Sequence, residues 1–211
     1  MKKQAEVATD GFLFLGNHVA LDFLNTRPVL DGTSVELLPD FDALLRWFQA
    51  AGLLSGTDVA HLKIRGRESA QSRRTVEAFR GLRETLRRAL LTWEADGTVP
   101  GATVRDLNRL MARHPMRTRL KLNKTGPHME LWFEPRESED LFAPLAYHAA
   151  NLFAHADYNR VRKCASCVGH FYDTSKKGTR RWCSMQLCGE PREGCILCGS
   201  PARPRSVVRP R

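Results

Sequence analysis

Apolar residues recur at helical spacing in several stretches of the chain and alternate in one, and these two periods predict its architecture. Phe12-Leu-Phe-Leu15, between Gly11 and Gly16, reads as a short buried strand. Asn17 is placed to cap a helix with Ala20, Phe23 and Leu24 on one face. Asp40 caps the next, where Phe41, Leu44, Leu45 and Phe48 share a face and Gly52 stops it. Ser55 and Thr57 offer an N-cap for a long basic segment. Its later part carries the strongest stripe in the chain: Val76, Phe79, Leu82, Leu86, Leu90 and Trp93. A shorter helix with Val104, Leu107, Leu110 and Met111 follows the Gly97 to Gly101 break and stops before Pro115.

Over residues 116–134 the period becomes two. Arg117, Arg119 and Lys121 alternate with Thr118, Leu120 and Leu122, and Asn123 to Gly126 make a turn before Met129, Leu131 and Phe133. The pattern predicts a β-hairpin with one buried face, which together with the Phe12 strand forms a small antiparallel sheet. Ser138 caps a last helix, with Leu141, Leu145, Ala149, Leu152 and Phe153 inward, and Tyr158-Asn159 lead on without a linker. The fold class is therefore α+β: a mostly helical N-terminal domain over 1–159 with the hairpin near 116–134, then a small, separate C-terminal finger over 160–200. Residues 201–211, rich in Pro and Arg, cannot build a core and read as a disordered basic tail.

Behind the main stripe lie Arg73, Arg74, Arg80, Arg83, Arg87 and Arg88, with Glu77 and Glu84 at pairing distance along the helix. Such a face is expected to be solvated, with nucleic-acid contact as the lesser alternative.

All six cysteines fall between positions 164 and 198 of the 211-residue chain. Cys164 and Cys167 form C-x2-C, and Cys183 and Cys188 form C-x4-C. Four thiolates on two separate turns suit tetrahedral Zn2+. Cys195 and Cys198 add a second C-x2-C, which leaves open a set of Cys164, Cys167, Cys195 and Cys198. His170 to Ser175 read as a short strand ending in a turn, Lys176-Lys177-Gly178 as its tip and Thr179 to Cys183 as the return.

Here the chain resembles a known family. Phe171, Asp173, Ser175, Arg180, Arg181, Trp182, Cys183, Ser184, Met185, Cys188 and Gly189 match the pattern of the CGNR zinc finger. Leu21-Asp-Phe-Leu-Asn-Thr26 resembles the opening of the ABATE domain that precedes that finger in stress-related bacterial transcription regulators. Glu190-Pro191 depart from the family's Asn-Arg, and Cys195, Cys198 and the Pro/Arg tail stand where a basic helix is expected. The resemblance favours Cys164, Cys167, Cys183 and Cys188 as zinc ligands. It implies a DNA-binding regulator whose N-terminal domain senses a small-molecule effector or a protein partner.

Charge distribution agrees with that reading. Residues 160–211 hold twelve Lys/Arg against three acidic residues, nearly all of the chain's net +10, which favours phosphate contacts and steep salt dependence. Lys176, Lys177, Arg180 and Arg181, on the loop between the cysteine pairs, are the candidate nucleic-acid-binding residues. Arg180 or Arg181 could instead pair with Asp173, and Trp182 is expected to pack over the knuckle. Asp22 and Asn25 are candidate ligand-binding residues, against buried polar bonds closing their helix. No catalytic motif stands out, and an enzyme is not expected. No apolar run is long enough for a membrane span or a signal peptide, so a cytoplasmic location with reduced thiols is expected. The competing function is a zinc-stabilised protein-interaction or RNA-binding module, redox-responsive in one version, with no DNA role.

Overall fold

Seven α-helices and three two-stranded antiparallel ribbons make up the computed structural model, which describes residues 10–30, 33–66, 70–114, 116–167 and 169–189. In chain order they are α1 (Val19–Leu24), β1 (Val29–Leu30), β2 (Thr33–Ser34), α2 (Phe41–Ala50), α3 (Gly56–Gly66), α4 (Ala70–Asp96), α5 (Gly101–Arg113), β3 (Arg117–Asn123), β4 (Gly126–Trp132), α6 (Phe142–His155), β5 (Val161–Lys163), β6 (His170–Tyr172) and α7 (Met185–Cys188). The N-terminal residues 1–9, Cys195 and Cys198, Glu190-Pro191 and the tail 201–211 lie outside the described residues. Among the described residues no helix is long and apolar enough to cross a membrane.

The long stripe makes α4 the centre of the helical domain. Val76, Phe79, Leu86, Leu90 and Trp93 are buried, and each large side chain so removed from water contributes about 1.5–3 kcal/mol. Phe79 stacks on Phe142 with ring centroids 4.0 Å apart and meets Phe23 and Phe48 edge-on. Asp40 caps α2 as expected, its Oδ1 accepting from Ala43 N at 2.7 Å. Ser55 caps α3, and the basic segment divides into α3 and α4.

Four expectations are corrected. Residues 12–15 form no sheet with the hairpin: Phe12 enters the helical core and Leu15 the core of the finger. The hairpin's uniform face is not buried, with Leu120 69% and Leu122 82% exposed, because β3 and β4 pack chiefly on each other. Asn17 does not cap α1. It takes a positive φ of 55°, and His18 Nδ1 accepts the capping bond from Ala20 N instead.

The fourth concerns part of the arginine face of α4: Arg73, Arg74 and Arg88 are exposed as expected, whereas Arg80, Arg83 and Arg87 are drawn inward. Arg83 is 1% exposed, donating to Thr26 Oγ1 at 2.9 Å and forking onto both carboxylate oxygens of Glu36. Arg80 donates to Leu38 O and Arg87 to Leu24 O. The strap that follows α1 meets this face, where three guanidiniums satisfy the carbonyls of Leu24 and Leu38 and the carboxylate of Glu36. This strap fixes α1, and α1 carries the finger.

Candidate metal centre and basic groove

β5 and β6 pair antiparallel with Lys163 opposite His170, and the turn between them is the first knuckle, closed by Cys164 N donating to Gly169 O at 2.9 Å. The second knuckle is built at α7. Ser184 caps that short helix, and Cys188 ends it, its N–H donating to Ser184 O. Two bonds stitch the knuckles together: Ala165 N to Arg181 O at 2.9 Å and Ser166 Oγ to Cys188 O at 2.7 Å.

The four sulfurs of Cys164, Cys167, Cys183 and Cys188 all lie within 4.8 Å of one another. Cys167 to Cys183 is 3.7 Å and Cys183 to Cys188 3.6 Å. Ligands about 2.3 Å from a tetrahedral Zn2+ stand roughly 3.8 Å apart, so the set fits that ion. Without an ion between them, sulfurs this close share protons: mutual hydrogen bonding pulls the Cys164 and Cys167 thiols down and pushes those of Cys183 and Cys188 up. Cys164, Cys183 and Cys188 are buried; Cys167 is partly exposed. Phe171, Leu15 and the partly buried Trp182 and Leu187 cover the centre, which places Trp182 over the knuckle.

Asp173 organises the loop between the knuckles. Wholly buried, it accepts from the N–H groups of Ser175 and Arg180 at 2.9 and 2.8 Å. Burial pushes its carboxyl up, and the bonds from Ser175 and Arg180 outweigh this and hold it below its ordinary value. The cation nearest it is Arg162, with Nε 3.8 Å away, so neither Arg180 nor Arg181 pairs with it through a guanidinium. Arg180 instead donates to Cys183 O at 2.6 Å and lies over the Phe171 ring. Gly178 takes a positive φ of 62° at the tip, a conformation glycine adopts without strain. Lys176, Lys177 and Arg181 are exposed. Together with Arg180, Trp182 and Met185 they line an open groove of about 400 Å³.

The finger is docked on the helical domain through backbone bonds. Asn25 Nδ2 donates to His170 O and Asn25 Oδ1 accepts from His170 N, both at 2.9 Å. Tyr172 N donates to Gly16 O at 2.8 Å, and Asn17 Nδ2 donates to Tyr172 O. Asp22 Oδ1 accepts from Gly16 N at 2.7 Å. A Cβ on Gly16 would stand 2.8 Å from the Leu21 Cβ and 2.9 Å from Asp22 Oδ1, so only glycine allows this approach. Asp22 and Asn25 thus carry the seam between domain and finger; Asn25 also borders a small cavity there. The buried His170 ring faces Glu94 of α4, Nε2 to Oε2 at 3.5 Å.

Residues 17–156 match the model of the ABATE family, described as a "Putative stress-induced transcription regulator". The chain belongs to the ABATE family. Residues 160–193 match the CGNR zinc finger, a stretch containing all four clustered cysteines and the basic loop. No curated protein matches the chain. In this ABATE protein the gap between the two matched stretches, 157–159, is short, and the bonds of Asn25 and Gly16 bridge it in space. Sequence reasoning placed the four cysteines and the exposed lysines together. It did not foresee Gly16, Asn17 and His170 as docking residues, whose only signal was the Asp22/Asn25 pair near a helix end.

Proposed function

We propose that this ABATE protein is a zinc-binding, DNA-binding transcription regulator, with a helical domain that senses a small molecule or a protein partner. Cys164, Cys167, Cys183 and Cys188 hold the metal, which fixes the loop between the knuckles. The observation that carries the reading is the groove beside them, where Lys176, Lys177, Arg180 and Arg181 converge. Guanidiniums grip phosphates or guanine edges through paired donors, and lysines add point charge. Arg180 has a second duty, holding Cys183 O, so Lys176, Lys177 and Arg181 carry most of the polyanion contact. The seam at Asn25 and His170 gives the helical domain a mechanical grip on the finger, the route by which sensing would reach DNA.

A second reading, an RNA-binding or protein-interaction module, draws on Met185, 61% exposed, and Trp182 in the same groove. Binding of the zinc-loaded protein to duplex DNA and to single-stranded RNA at several salt concentrations separates the two. Regulation at DNA predicts duplex binding that falls steeply with salt. Preference for RNA, or no binding even at low salt, supports the second reading.

A further inference from the structure

Two of the four cysteines, Cys167 and Cys183, line a small cavity at the seam between finger and helical domain. Its volume is about 30 Å³, enough for a molecule of one or two oxygen atoms. Leu13, Leu15, Leu24 and Val29 form its apolar wall, and Arg27 and Arg87 border it. Cys167 is also the one partly exposed member of the cluster. Oxidation of cysteine follows thiolate character and access, and this sulfur combines the two, since a ligand to Zn2+ is held as thiolate.

We propose that Cys167 and Cys183 form a peroxide-oxidisable pair reached through this cavity, whose oxidation releases the metal and loosens the finger from the helical domain. The inference rests on the zinc reading of the cluster. The Cys167 thiolate attacks hydrogen peroxide, forming an S–O bond as the O–O bond breaks; the departing hydroxide takes a proton and leaves as water. Cys183 Sγ, 3.7 Å away, then attacks the sulfenic sulfur. An S–S bond forms, the S–O bond breaks and, with a second proton, a second water leaves. Two thiolates are oxidised and one peroxide is reduced. A disulfide of about 2.05 Å needs the sulfurs to close by less than 2 Å. Cys164 and Cys188 alone are too few for a closed tetrahedral site.

The seam would register the change. A Cβ built on Gly169 would stand 3.4 Å from Cys167 Sγ and 3.3 Å from Asn25 Oδ1, so this one residue separates the reacting sulfur from the amide that holds the finger. Movement of the Cys167 knuckle displaces Gly169 and pulls at the Asn25–His170 bonds.

The test titrates the zinc-loaded full-length protein with hydrogen peroxide while a chromogenic chelator reports released zinc, followed by alkylation and mass spectrometry. Expected are loss of two thiols per zinc released and a Cys167–Cys183 disulfide. Leu13→Phe, which fills the cavity and leaves all six cysteines in the chain, should bind zinc as the parent does and release it severalfold more slowly. A Cys195→Ser, Cys198→Ser double variant should respond as the parent. A disulfide between Cys195 and Cys198 or between Cys183 and Cys188, with Cys167 alkylated, overturns the proposal, as does zinc retained under peroxide or release by Leu13→Phe at the parent rate. A protein that takes up no zinc contradicts the metal reading itself.

Discussion

Asn25 and His170, 145 residues apart in sequence, exchange two hydrogen bonds of 2.9 Å, one through each atom of the Asn25 amide. The amide takes the place of a neighbouring strand for β6. Asn25→Ala removes both bonds and leaves a partly buried N–H and carbonyl without partners, a loss of about 1–3 kcal/mol. Asn25→Asp keeps the acceptor but turns a carboxylate toward the His170 carbonyl. Hydrogen exchange at His170 to Tyr172 should accelerate in both variants, with zinc content unchanged. Unaltered protection there would mean that the amide does not hold the finger.

Asp22 supplies the seam with a pH dependence. Burial pushes its carboxyl up to about 7, against the lowering effect of the Gly16 and Leu15 N–H groups. Between roughly pH 4 and 7 the folded protein therefore keeps a proton that the unfolded chain has released. Stability from this group is greatest at the acid end of that window and falls as pH rises through it, by up to about 1.4 kcal/mol per pH unit. Asp22→Asn retains an oxygen for Gly16 N and carries no charge. In urea denaturation at pH 5 and pH 7.5, the parent should lose stability relative to the variant by about 2–3 kcal/mol. Comparing the two proteins cancels the opposing contributions of the partly buried His18 and His148, whose imidazoles desolvation pushes below their ordinary range. Parallel pH profiles would show that Asp22 is not held protonated.

The metal set makes a sharper demand, because the second C-x2-C pair offers a rival. The sulfurs of Cys183 and Cys188 stand with those of Cys164 and Cys167. Cys183→Ser should therefore lose zinc and Cys195→Ser should keep it, as read by metal analysis of the purified proteins. Loss of zinc from Cys195→Ser together with full retention in Cys183→Ser would assign the rival set.

Much of this was legible in the sequence because it is local. The α4 stripe, the Asp40 cap and the paired cysteines depend on residues a few positions apart. The hairpin was legible as a hairpin: its turn and alternation are local, whereas burial of its face depends on what lies opposite, which periodicity does not encode. Arg83 was misplaced for the same reason. A stripe identifies the apolar face of a helix, but not that the strap after α1 would meet the polar face and bury a guanidinium against Glu36. Because the Glu36 carboxylate is still 28% exposed, losing it costs less than the roughly 3–5 kcal/mol of a fully buried pair. Leu13, Leu15, Gly16 and Asn17 were the least legible, since their partners lie in the finger, more than 140 positions away.

The central claim is that a metal-held basic groove on the finger binds DNA. Its most direct measurement is the affinity of the zinc-loaded protein for duplex DNA as a function of salt, for the parent and for Lys176→Ala with Lys177→Ala. Both lysines are exposed at the groove, so the variant should keep its zinc and fold. The account predicts weaker binding on every duplex tested, with the salt slope reduced by roughly one to two units. A variant that binds as the parent does, slope included, or a zinc-loaded parent without affinity at low salt, would contradict it.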